Sequence, residues 1–527
     1  MAVLESGPVK IEDLFREVED FRILGDSSLD VSALSYRSSD VGPGHLFFCV
    51  PGYMRDGHDF APEALGRGAV CLCVERPLDL PACQVVVPSV RTVMGPVSAA
   101  YFGHPSRRLM TAGITGTNGK TTSAFLVAWL LEFAGHGTGV LGTIEKRIGG
   151  VSEPAVRTTP EALDTQRDLA TMVRMGDEAA VMEVSSHALE LGRVRGIEFD
   201  AVAFTNLTQD HLDFHKDIDS YFRAKARLFL DPHFAGTRPS AVLNLDDAYV
   251  RGLARSLDPK RVLGFTMEEA RAGEARIYAA DVHMAGSGTT FLAVLSDRAL
   301  AGAPPERSSN QVEVEIKIPL VGRFNVANAL TAFGIGLALG LDVEVMARAM
   351  ASFPGVPGRM ETIDEGQGFA VIVDYAHTPD SVASVLRTAR EIGRRRIIGL
   401  LGCGGDRDRG KRPIMGKALE EGADVAVLTS DNPRGERPDD IIAEMLGGLR
   451  RPEEALVEPD RRAAIAAALA LAREGDIVAI LGKGHEAGQQ FARETVPFDD
   501  REVVREELRR LRGSPAAPAN GSRGAGT

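Results

Sequence analysis

The sequence predicts an α/β protein of three domains built on mostly parallel sheets. Short apolar runs alternate with longer segments of helical periodicity along most of the chain, which is the pattern of strand–helix–strand units. At 527 residues the chain has room for three domains of roughly 150 residues each. Composition shifts divide it into a small N-terminal α/β domain at 1–108, a central domain at 109–355, a C-terminal domain at 356–512 and a disordered, small and polar tail at 513–527.

The apolar pattern places individual elements in the first two sections. The N-terminal section has three short apolar runs separated by Gly and Pro, at 44–50, 68–74 and 84–87. The central section has candidate strands at 110–114, 179–182, 201–205 and 241–245, and candidate helices at 121–133, 219–230 and 325–339. We expect a polar, proline-containing loop at 301–310. The central strands therefore predict a mostly parallel sheet with helices on both faces.

The last section repeats this rhythm after a glycine- and proline-rich hinge at 354–358. Its candidate strands are 370–373, 396–401, 424–429 and 476–481, and its candidate helices are 379–393, 413–421, 438–448 and 460–473. This order predicts a Rossmann-like, doubly wound domain. Such a sheet carries its ligands at the carboxyl ends of its strands, and charged motifs follow the strands here.

Charge and cysteine content exclude several classes of protein. The net charge of −13 disfavours a nucleic-acid partner. No apolar run reaches the roughly 18 residues of a membrane span, and the N-terminus has acidic residues without an apolar core, so we expect a cytoplasmic protein. Five cysteines are few for this length, which favours free buried thiols over disulfides; a metal site at Cys71 and Cys73 is the weaker alternative.

A glycine-rich turn follows the strand at 110–114 and precedes the helix at 121–133. The residues Gly116, Thr117, Asn118, Gly119, Lys120, Thr121 and Thr122 form the second half of a phosphate-binding loop, while the first glycine of the strict pattern is replaced by Ile114. Backbone N–H groups and the helix N-terminus attract phosphate, Lys120 adds a charge, and the Thr121 hydroxyl is a magnesium ligand. The alternative is an ordinary strand–turn–helix with a surface lysine. The motif predicts a P-loop-type ATPase domain.

Two further polar positions follow central strands. Glu183 ends the strand at 179–182 and is a candidate magnesium ligand; a solvated strand end is the alternative. His211 lies in a run with two His and two Asp and could bind a second magnesium or orient a phosphate, or belong to a polar loop. Lys225 lies on an amphipathic helix, where spacing alone indicates a helix-surface lysine.

The third section places cations beside carboxylates after several strands. These residues include Asp374, Arg407, the run Asp431, Asn432, Pro433 and Arg434, and the pair Gly482 and Glu486. Arginine can bind a carboxylate through two hydrogen bonds while Asp and Glu hold ammonium groups, so the pattern suits a zwitterion with several charges. Solvated loops are the alternative for each cluster.

Taken together, the motifs resemble those of the Mur ligases over residues 30–500. The resemblance rests on the phosphate loop, on EVSSH from Glu183, DHLDFH from Asp210, GRFNVAN from Gly322 and DYAHTP from Asp374. The run DNPR from Asp431 is similar to the motif that separates diaminopimelate-adding members from lysine-adding ones. Three positions depart from the family pattern: Ser38 lies in Arg-Ser-Ser rather than Asp-Ser-Arg, and Arg157 and Leu191 replace polar residues of other members.

The resemblance implies roles for individual residues. The catalytic residues would be Lys120, Lys225 and His211. ATP would be bound by residues 116–122 together with Asn325, Arg359 and Asp374. Magnesium would be held by Thr121, Glu183 and His211. Lys225 would carry a CO2-derived carbamate, which overturns the surface interpretation. The uridine nucleotide and its peptide would contact Ser38, Tyr53, Met54, Arg55, Thr158, Thr159, Ser185 and Arg193. Diaminopimelate would be bound by Arg407, Asp431, Asn432, Pro433, Arg434, Gly482 and Glu486.

The resemblance also implies a reaction of peptidoglycan precursor synthesis. The cofactors would be ATP as co-substrate and Mg2+, and the protein would act as a monomer on small molecules. The D-glutamyl γ-carboxylate of UDP-N-acetylmuramoyl-L-alanyl-D-glutamate would form an acyl phosphate with ATP, and an amine of meso-diaminopimelate would displace the phosphate. Alternatives are a lysine-adding Mur ligase, a ligase similar to folylpolyglutamate synthase, and a nucleotide-binding switch that does not ligate.

Overall fold

The computed structural model describes residues 7–52, 55–211, 214–235, 239–285, 288–296, 312–393 and 395–513. It divides into two compact units, one ending at Pro354 and the other beginning at Gly355. The predicted loop at 301–310 and the tail beyond residue 513 lie outside the described residues. Each unit is described by itself.

The first unit begins with a five-stranded sheet whose two faces are both buried. Its strands in spatial order are Arg22–Leu24, Cys83–Val86, Ala69–Val74, His45–Phe48 and Ala33–Ser35, all parallel except the first. Helices Ile11–Leu14, Ala61–Gly66 and Val90–Tyr101 cover it, and a short ladder pairs Val9–Lys10 with Asp30–Val31. Along Ala69–Val74, Cys71 and Cys73 point into one apolar cluster while Leu72 and Val74 point into the other.

An eleven-stranded sheet forms the rest of the first unit. Its strands in spatial order are Val151–Pro154, Glu145–Ile148, Thr138–Leu141, Ala179–Glu183, Met110–Thr115, Ala201–Phe204, Ser240–Asn244, Val262–Thr266, Ile277–Ala285, Gly288–Leu295 and Val312–Ile318. The six central pairings are parallel, which confirms the predicted fold class. The two outer pairings at each end are antiparallel, and the sequence analysis did not predict them.

Helices pack on both faces of this sheet. They are Lys120–Phe133, Ala162–Met175, Ser186–Glu190, Ile218–Leu230, Pro232–Ala235, Ala248–Ser256, Arg323–Ala338 and Val343–Ala351. The first of them lies against Arg323–Ala338, and the Trp129 indole donates a hydrogen bond to the carbonyl of Ala349 at 2.7 Å. Eleven of the sixteen residues of Arg323–Ala338 are buried, which is why the helix is largely apolar around most of its circumference.

The second unit is a doubly wound sheet, as predicted. Its strands in spatial order are Glu361–Thr362, Ala370–Asp374, Ile477–Leu481, Ile397–Cys403, Val425–Ser430 and Leu456–Val457, parallel except for the first. Helices Pro379–Ile392, Lys411–Gly422 and Pro438–Leu446 cover one face, and Arg461–Leu471 and Asp500–Gly513 cover the other. A short hairpin, Gly488–Gln490 with Thr495–Pro497, follows the strand Ile477–Leu481. The carboxyl ends of the four central strands therefore share one edge.

The cysteines are buried and free, as the sequence predicts. All five are buried and none forms a disulfide, and the thiols of Cys71 and Cys83 lie 3.8 Å apart on neighbouring strands. Across the residues that the structure describes, no helix combines the length and the apolar character needed to cross a membrane.

Candidate functional site

The predicted phosphate loop lies at the carboxyl end of the central strand Met110–Thr115. Its first glycine, Gly116, has a φ of 147°, and a Cβ there would meet the Thr205 side chain. Gly119 has a φ of 85° and faces the Asn328 side chain in the same way. Only glycine satisfies both the backbone and the space at these two positions. The loop then runs into the N-terminus of a 14-residue helix, where N–H groups point towards an anion.

Two lysines converge on the carbonyl of Gly116. Lys120 donates hydrogen bonds to the carbonyls of Gly116 and Thr117, both at 2.8 Å, and Lys225 donates to Gly116 at 2.8 Å. Lys225 is only 1% exposed, so the interpretation as a helix-surface lysine is wrong. It shares a buried helix face with Tyr221 and Leu228, four residues before and three after it, and this spacing could have revealed its burial.

Burial lowers the pKa of Lys225 well below its ordinary value, and repulsion from Lys120 lowers it further. A lowered pKa favours the neutral form of an amine. Neutral amines are nucleophilic, whereas the ammonium form is not. The site is therefore chemically suited to a reaction at the Nζ of Lys225.

Glu183 lies beside the phosphate loop and is buried, at 1% exposure, so it is not a solvated strand end. Its carboxylate accepts hydrogen bonds from the Thr121 hydroxyl at 3.0 Å and from the backbone N–H and hydroxyl of Thr143 at 2.7 and 3.0 Å. Within the described ranges, no three His, Cys, Asp or Glu side chains are grouped to hold a metal ion. The hydroxyl and carboxylate nevertheless fit Mg2+, which takes few protein ligands and completes its shell with water and phosphate oxygens.

The third predicted metal residue, His211, has a left-handed backbone conformation with a φ of 54°. Its ring lies 4.9 Å from that of His187, edge to face, and the His187 ring packs at 4.1 Å on Phe214. The imidazole is 41% exposed. Its pKa is lowered by partial burial and by repulsion from His187, Lys225 and Lys120, against the opposing attraction of Asp210. His211 thus belongs to a packed histidine–aromatic cluster near the two lysines.

The residues predicted to contact the peptide share one neighbourhood next to Glu183. The Thr159 hydroxyl lies 3.3 Å from the Ser185 hydroxyl and accepts from the Ser185 N–H at 3.2 Å. Thr158 is hydrogen bonded to the Thr143 hydroxyl at 3.1 Å. Arg193 donates to the carbonyl of Thr159 at 3.3 Å. Four positions that are up to 35 residues apart in sequence are therefore adjacent in the fold.

A cavity of about 730 Å³ adjoins this neighbourhood. It lies between Tyr36 and Arg37, the hairpin Glu145–Pro154 and the helix Ala162–Met175. The Tyr36 hydroxyl donates to Asp164 at 2.6 Å and so joins the N-terminal section to this helix. The sequence analysis did not predict this cavity.

The residues predicted to contact the uridine nucleotide do not form a shared cluster among the described residues. The Ser38 hydroxyl donates to Glu63 at 3.0 Å within the N-terminal section, and Arg55 is exposed. Tyr53 and Met54 lie outside the described residues.

Asn325 approaches the phosphate loop through one intermediary. Its amide donates to the carbonyl of Val321 at 2.9 Å and accepts from Asn328 at 3.0 Å. Asn328 in turn faces Gly119 of the loop. The residue is buried, at 3% exposure.

In the second unit, Arg359 and Asp374 lie close to each other. The Arg359 guanidinium lies over the Tyr375 ring at 4.6 Å. The Asp374 carboxylate accepts from the N–H of Met360 at 2.7 Å. Burial raises the pKa of Asp374 to about 6, against the opposing attraction of Arg359.

The side chains of Arg407 and Arg434, both predicted to bind the amino acid, approach the same residue, Gly404. A Cβ on Gly404 would be 2.9 Å from Nη1 of Arg434 and 3.8 Å from Cγ of Arg407. Arg434 donates to the carbonyl of Gly405 at 2.8 Å. Burial, and then repulsion by Arg407, lower the pKa of Arg434. Two neighbouring guanidiniums attract carboxylate groups strongly.

The acidic residues of this site follow two strands, Val425–Ser430 and Ile477–Leu481, which flank Ile397–Cys403 in the sheet. Asn432 donates from Nδ2 to Oε2 of Glu486 at 2.7 Å. Gly482 has a φ of 117°, and a Cβ there would lie 2.6 Å from Oδ2 of Asp431. A side chain at this position would cover the Asp431 carboxylate, which is why glycine is required. Carboxylates and guanidiniums thus surround one edge of the sheet.

Three residues near these sites received no role from the sequence. They are Thr143, Arg461 and Lys483. Lys483 stands between Gly482 and Glu486, which were both predicted to bind the amino acid, so its position after a strand among charged residues was an available signal. The contacts of Arg461 and Thr143 join distant segments and have no local signature.

Three family models match the chain in succession. They are "Mur ligase family, catalytic domain" at residues 30–103, "Mur ligase middle domain" at 114–336 and "Mur ligase, glutamate ligase domain" at 358–484.

The chain is similar to curated relatives over nearly its whole length. The chain is 46% identical over 486 residues to the UDP-N-acetylmuramoyl-L-alanyl-D-glutamate--2,6-diaminopimelate ligase of Solibacter usitatus, which covers 91% of this chain and 94% of that protein. It is 42% identical over 508 residues to the protein of the same name from Geobacillus thermodenitrificans, covering 96% of this chain and 100% of that one.

Solved structures agree with the fold. A structure of UDP-N-acetylmuramoyl-L-alanyl-D-glutamate--2,6-diaminopimelate ligase is 31% identical and matches with a TM-score of 0.67 over 96% of this chain and 100% of that one. MurF from Acinetobacter baumannii, at 17% identity, has the same fold with a TM-score of 0.64 over 96% of this chain and 99% of that one. The family predicted from the motifs is confirmed: the chain belongs to the Mur ligases.

Proposed function

We propose that this chain adds meso-diaminopimelate to the D-glutamyl γ-carboxylate of UDP-N-acetylmuramoyl-L-alanyl-D-glutamate, with hydrolysis of ATP. The single observation that carries the amino-acid choice is the approach of the Arg434 and Arg407 side chains to Gly404, where Asp431 and Glu486 attract the Arg434 guanidinium. Diaminopimelate has an ammonium and a carboxylate at each end. Lysine has no second carboxylate for a guanidinium to bind.

The phosphate loop would bind ATP and favour the first step. The γ-carboxylate attacks the γ-phosphorus, the bond to the β-phosphate bridging oxygen breaks, and an acyl phosphate and ADP form. Both reactants are anions, so Lys120 and the loop N–H groups would offset the charge that concentrates between them. Mg2+, when bound, supplies further charge neutralisation on the phosphates, and Thr121 and Glu183 would hold it.

Lys225 would serve this step as a carbamate. The neutral Nζ attacks CO2, a C–N bond forms, and one proton is released to solvent, which converts the amine to an anion. The lowered pKa and the 1% exposure of Lys225 support this proposal, because a lowered pKa favours the neutral amine, which is the reactive form.

The second step belongs to the amino-acid site. A free amine of diaminopimelate attacks the acyl carbon, the carbon–oxygen bond to phosphate breaks, and inorganic phosphate and an amide result. Asp431, Glu486 and the two arginines would bind the remaining charged groups of the nucleophile. Because these groups follow the strand ends of one sheet, positioning would contribute much of the rate.

Phosphate release by the purified protein tests the proposal. Release should require ATP, the uridine dipeptide and meso-diaminopimelate together. Lysine or glutamate in place of diaminopimelate should give little release. Preference for either one would instead identify a lysine-adding ligase or a ligase similar to folylpolyglutamate synthase, and ATP binding without any acyl transfer would identify a non-ligating switch.

Lys225→Ala tests the role of the buried amine. This variant should lose most of its activity, and added bicarbonate should not restore it. Lys216→Ala, at an exposed lysine of the preceding loop, is the matched control and should keep full activity. An active Lys225→Ala protein would contradict the carbamate.

We also propose that the enzyme acts as a monomer in the cytoplasm. Light scattering should then give a mass close to 56.3 kDa for the full chain. A mass of twice that value would contradict the monomer.

A further inference from the structure

Lys483 is a buried cation at the amino-acid site of the second unit. Its side chain is 0% exposed and lies two residues after the strand Ile477–Leu481. Nζ donates to Oδ1 of Asn432 at 3.1 Å, to Oε2 of Glu486 at 2.9 Å and to the carbonyl of Gly488 at 2.7 Å. An ammonium has three protons, and three acceptors match them.

These bonds determine how the Asn432 amide is oriented. Its Oδ1 accepts from Lys483 and also from the N–H of Gln490 at 2.9 Å. The nitrogen must therefore point the other way, where Nδ2 donates to Glu486 at 2.7 Å. A flipped amide would place an N–H₂ group against two donors, so Lys483 and the hairpin fix one orientation.

The same bonds divide the roles of the two Glu486 oxygens. Oε2 receives two donors, one from Lys483 and one from Asn432. Two hydrogen bonds to one oxygen, one of them from a fully buried ammonium, hold the carboxylate in one rotamer. The other oxygen, Oε1, is then the atom available for an ammonium group, and the Glu486 side chain is 28% exposed.

We propose that Lys483 is a positioning residue for the amino-acid nucleophile. It acts through Asn432 and Glu486, presenting Oε1 of the carboxylate and the remaining Nδ2 proton of the amide to one zwitterionic end of the substrate. This rests on the proposed function, since the site must take a diamino dicarboxylic acid for the assignment to hold.

Steady-state kinetics of Lys483→Met and Lys483→Gln test this role. Lys483→Met removes all three donors and should raise the KM for diaminopimelate by about tenfold or more, while the KM values for ATP and the uridine dipeptide stay within about twofold. Lys483→Gln keeps an N–H₂ donor and should fall between Met and wild type. Formation of ADP in a single turnover without diaminopimelate should be unchanged in both variants.

A matched control lies at the opposite edge of the same sheet. Arg396 bonds to the buried carboxylate of Asp476 at 2.6 Å, at the amino ends of two neighbouring strands. Arg396→Met should lower the unfolding temperature and leave the KM for diaminopimelate unchanged. A merely structural role for Lys483 would give that same result.

A double variant keeps the proposal testable if Lys483→Met folds poorly. Lys483→Met with Glu486→Gln leaves no unpaired buried charge. Because Lys483 acts through Glu486, the fold-increase in the KM of the double variant should lie well below the product of the fold-increases in the two single variants. If Lys483→Met does not fold, Lys483→Gln replaces it in this comparison. Independent, multiplied effects would overturn the proposal, and so would an unchanged KM in the folded Lys483 variants. If the wild type showed no turnover dependent on diaminopimelate, the proposed function itself would be contradicted.

Discussion

The buried pair of Arg461 and Asp500 yields a quantitative prediction about the second unit. Both side chains are 0% exposed. The guanidinium donates to the two Asp500 oxygens at 2.7 and 2.6 Å, and to the carbonyls of Ser430 and Leu481, each at 3.1 Å. Those carbonyls end the two strands that carry Asp431 and Gly482, so the pair fixes the edge where the amino acid would bind.

The size of the effect follows from what each variant leaves behind. Arg461→Met leaves a buried, unpaired carboxylate, which costs about 3–5 kcal/mol of unfolding free energy. Arg461→Met with Asp500→Leu removes that charge, and only the two carbonyl bonds are lost, at about 1 kcal/mol each. The double variant should therefore be destabilised by only about 2 kcal/mol.

Hydrogen exchange of the full chain measures these differences directly. The reporters are the amides of Ile477–Leu481, a strand between two others in the sheet. Arg462→Met is the matched control, because this next residue of the same helix is 41% exposed and pairs with the exposed Glu506 and with the buried Glu507, which keeps its ion pair with Arg510. It should change the opening free energy by no more than about 1 kcal/mol.

Two results would refute this reasoning. One is equal destabilisation by Arg461→Met and Arg462→Met, which would mean that burial of the pair has no energetic consequence. The other is a double variant no more stable than Arg461→Met, which would mean that the unpaired carboxylate is not the source of the loss.

Two other predictions concern the phosphate loop and acid stability. Gly119→Ala should lower kcat/KM for ATP by about 100-fold, because the new methyl group displaces the loop. Gly135, with a φ of 97° and open space around it, is the matched control, and Gly135→Ala should lower only the stability. Equal ATP kinetics in the two variants would contradict this prediction. The Arg412 guanidinium holds the pKa of Glu436 at about 2, below its ordinary 4.5, so this carboxylate stabilises the fold above pH 4.5 and its contribution disappears as the pH falls towards 2. Urea unfolding at pH 5 and pH 3 should show a smaller acid loss in Glu436→Gln than in wild type, and equal losses would exclude this contribution.

Local sequence pattern determined much of the architecture. Apolar runs of four to seven residues, bounded by turn residues, favour buried strands, and segments with helical periodicity favour the helices that cover them. The strands and helices flanking the phosphate loop accordingly lie within one or two residues of their predicted bounds. The doubly wound second unit follows from the same rhythm. The glycine spacing and the charged motifs after the strands were sufficient to identify the family, which the relatives confirm.

Tertiary structure alone decided which segments face one another. The burial of Lys225 depends on the Gly116 carbonyl, 109 residues away, and periodicity reports an apolar face without naming what lies opposite. The antiparallel outer strands were missed, although Val312–Ile318 alternates apolar and polar residues, because their pairing depends on a partner strand. The contacts of Lys483 and Arg461 span 51 and 39 residues. A buried charge is stable only where distant groups supply its hydrogen bonds, and only the folded chain brings those groups together.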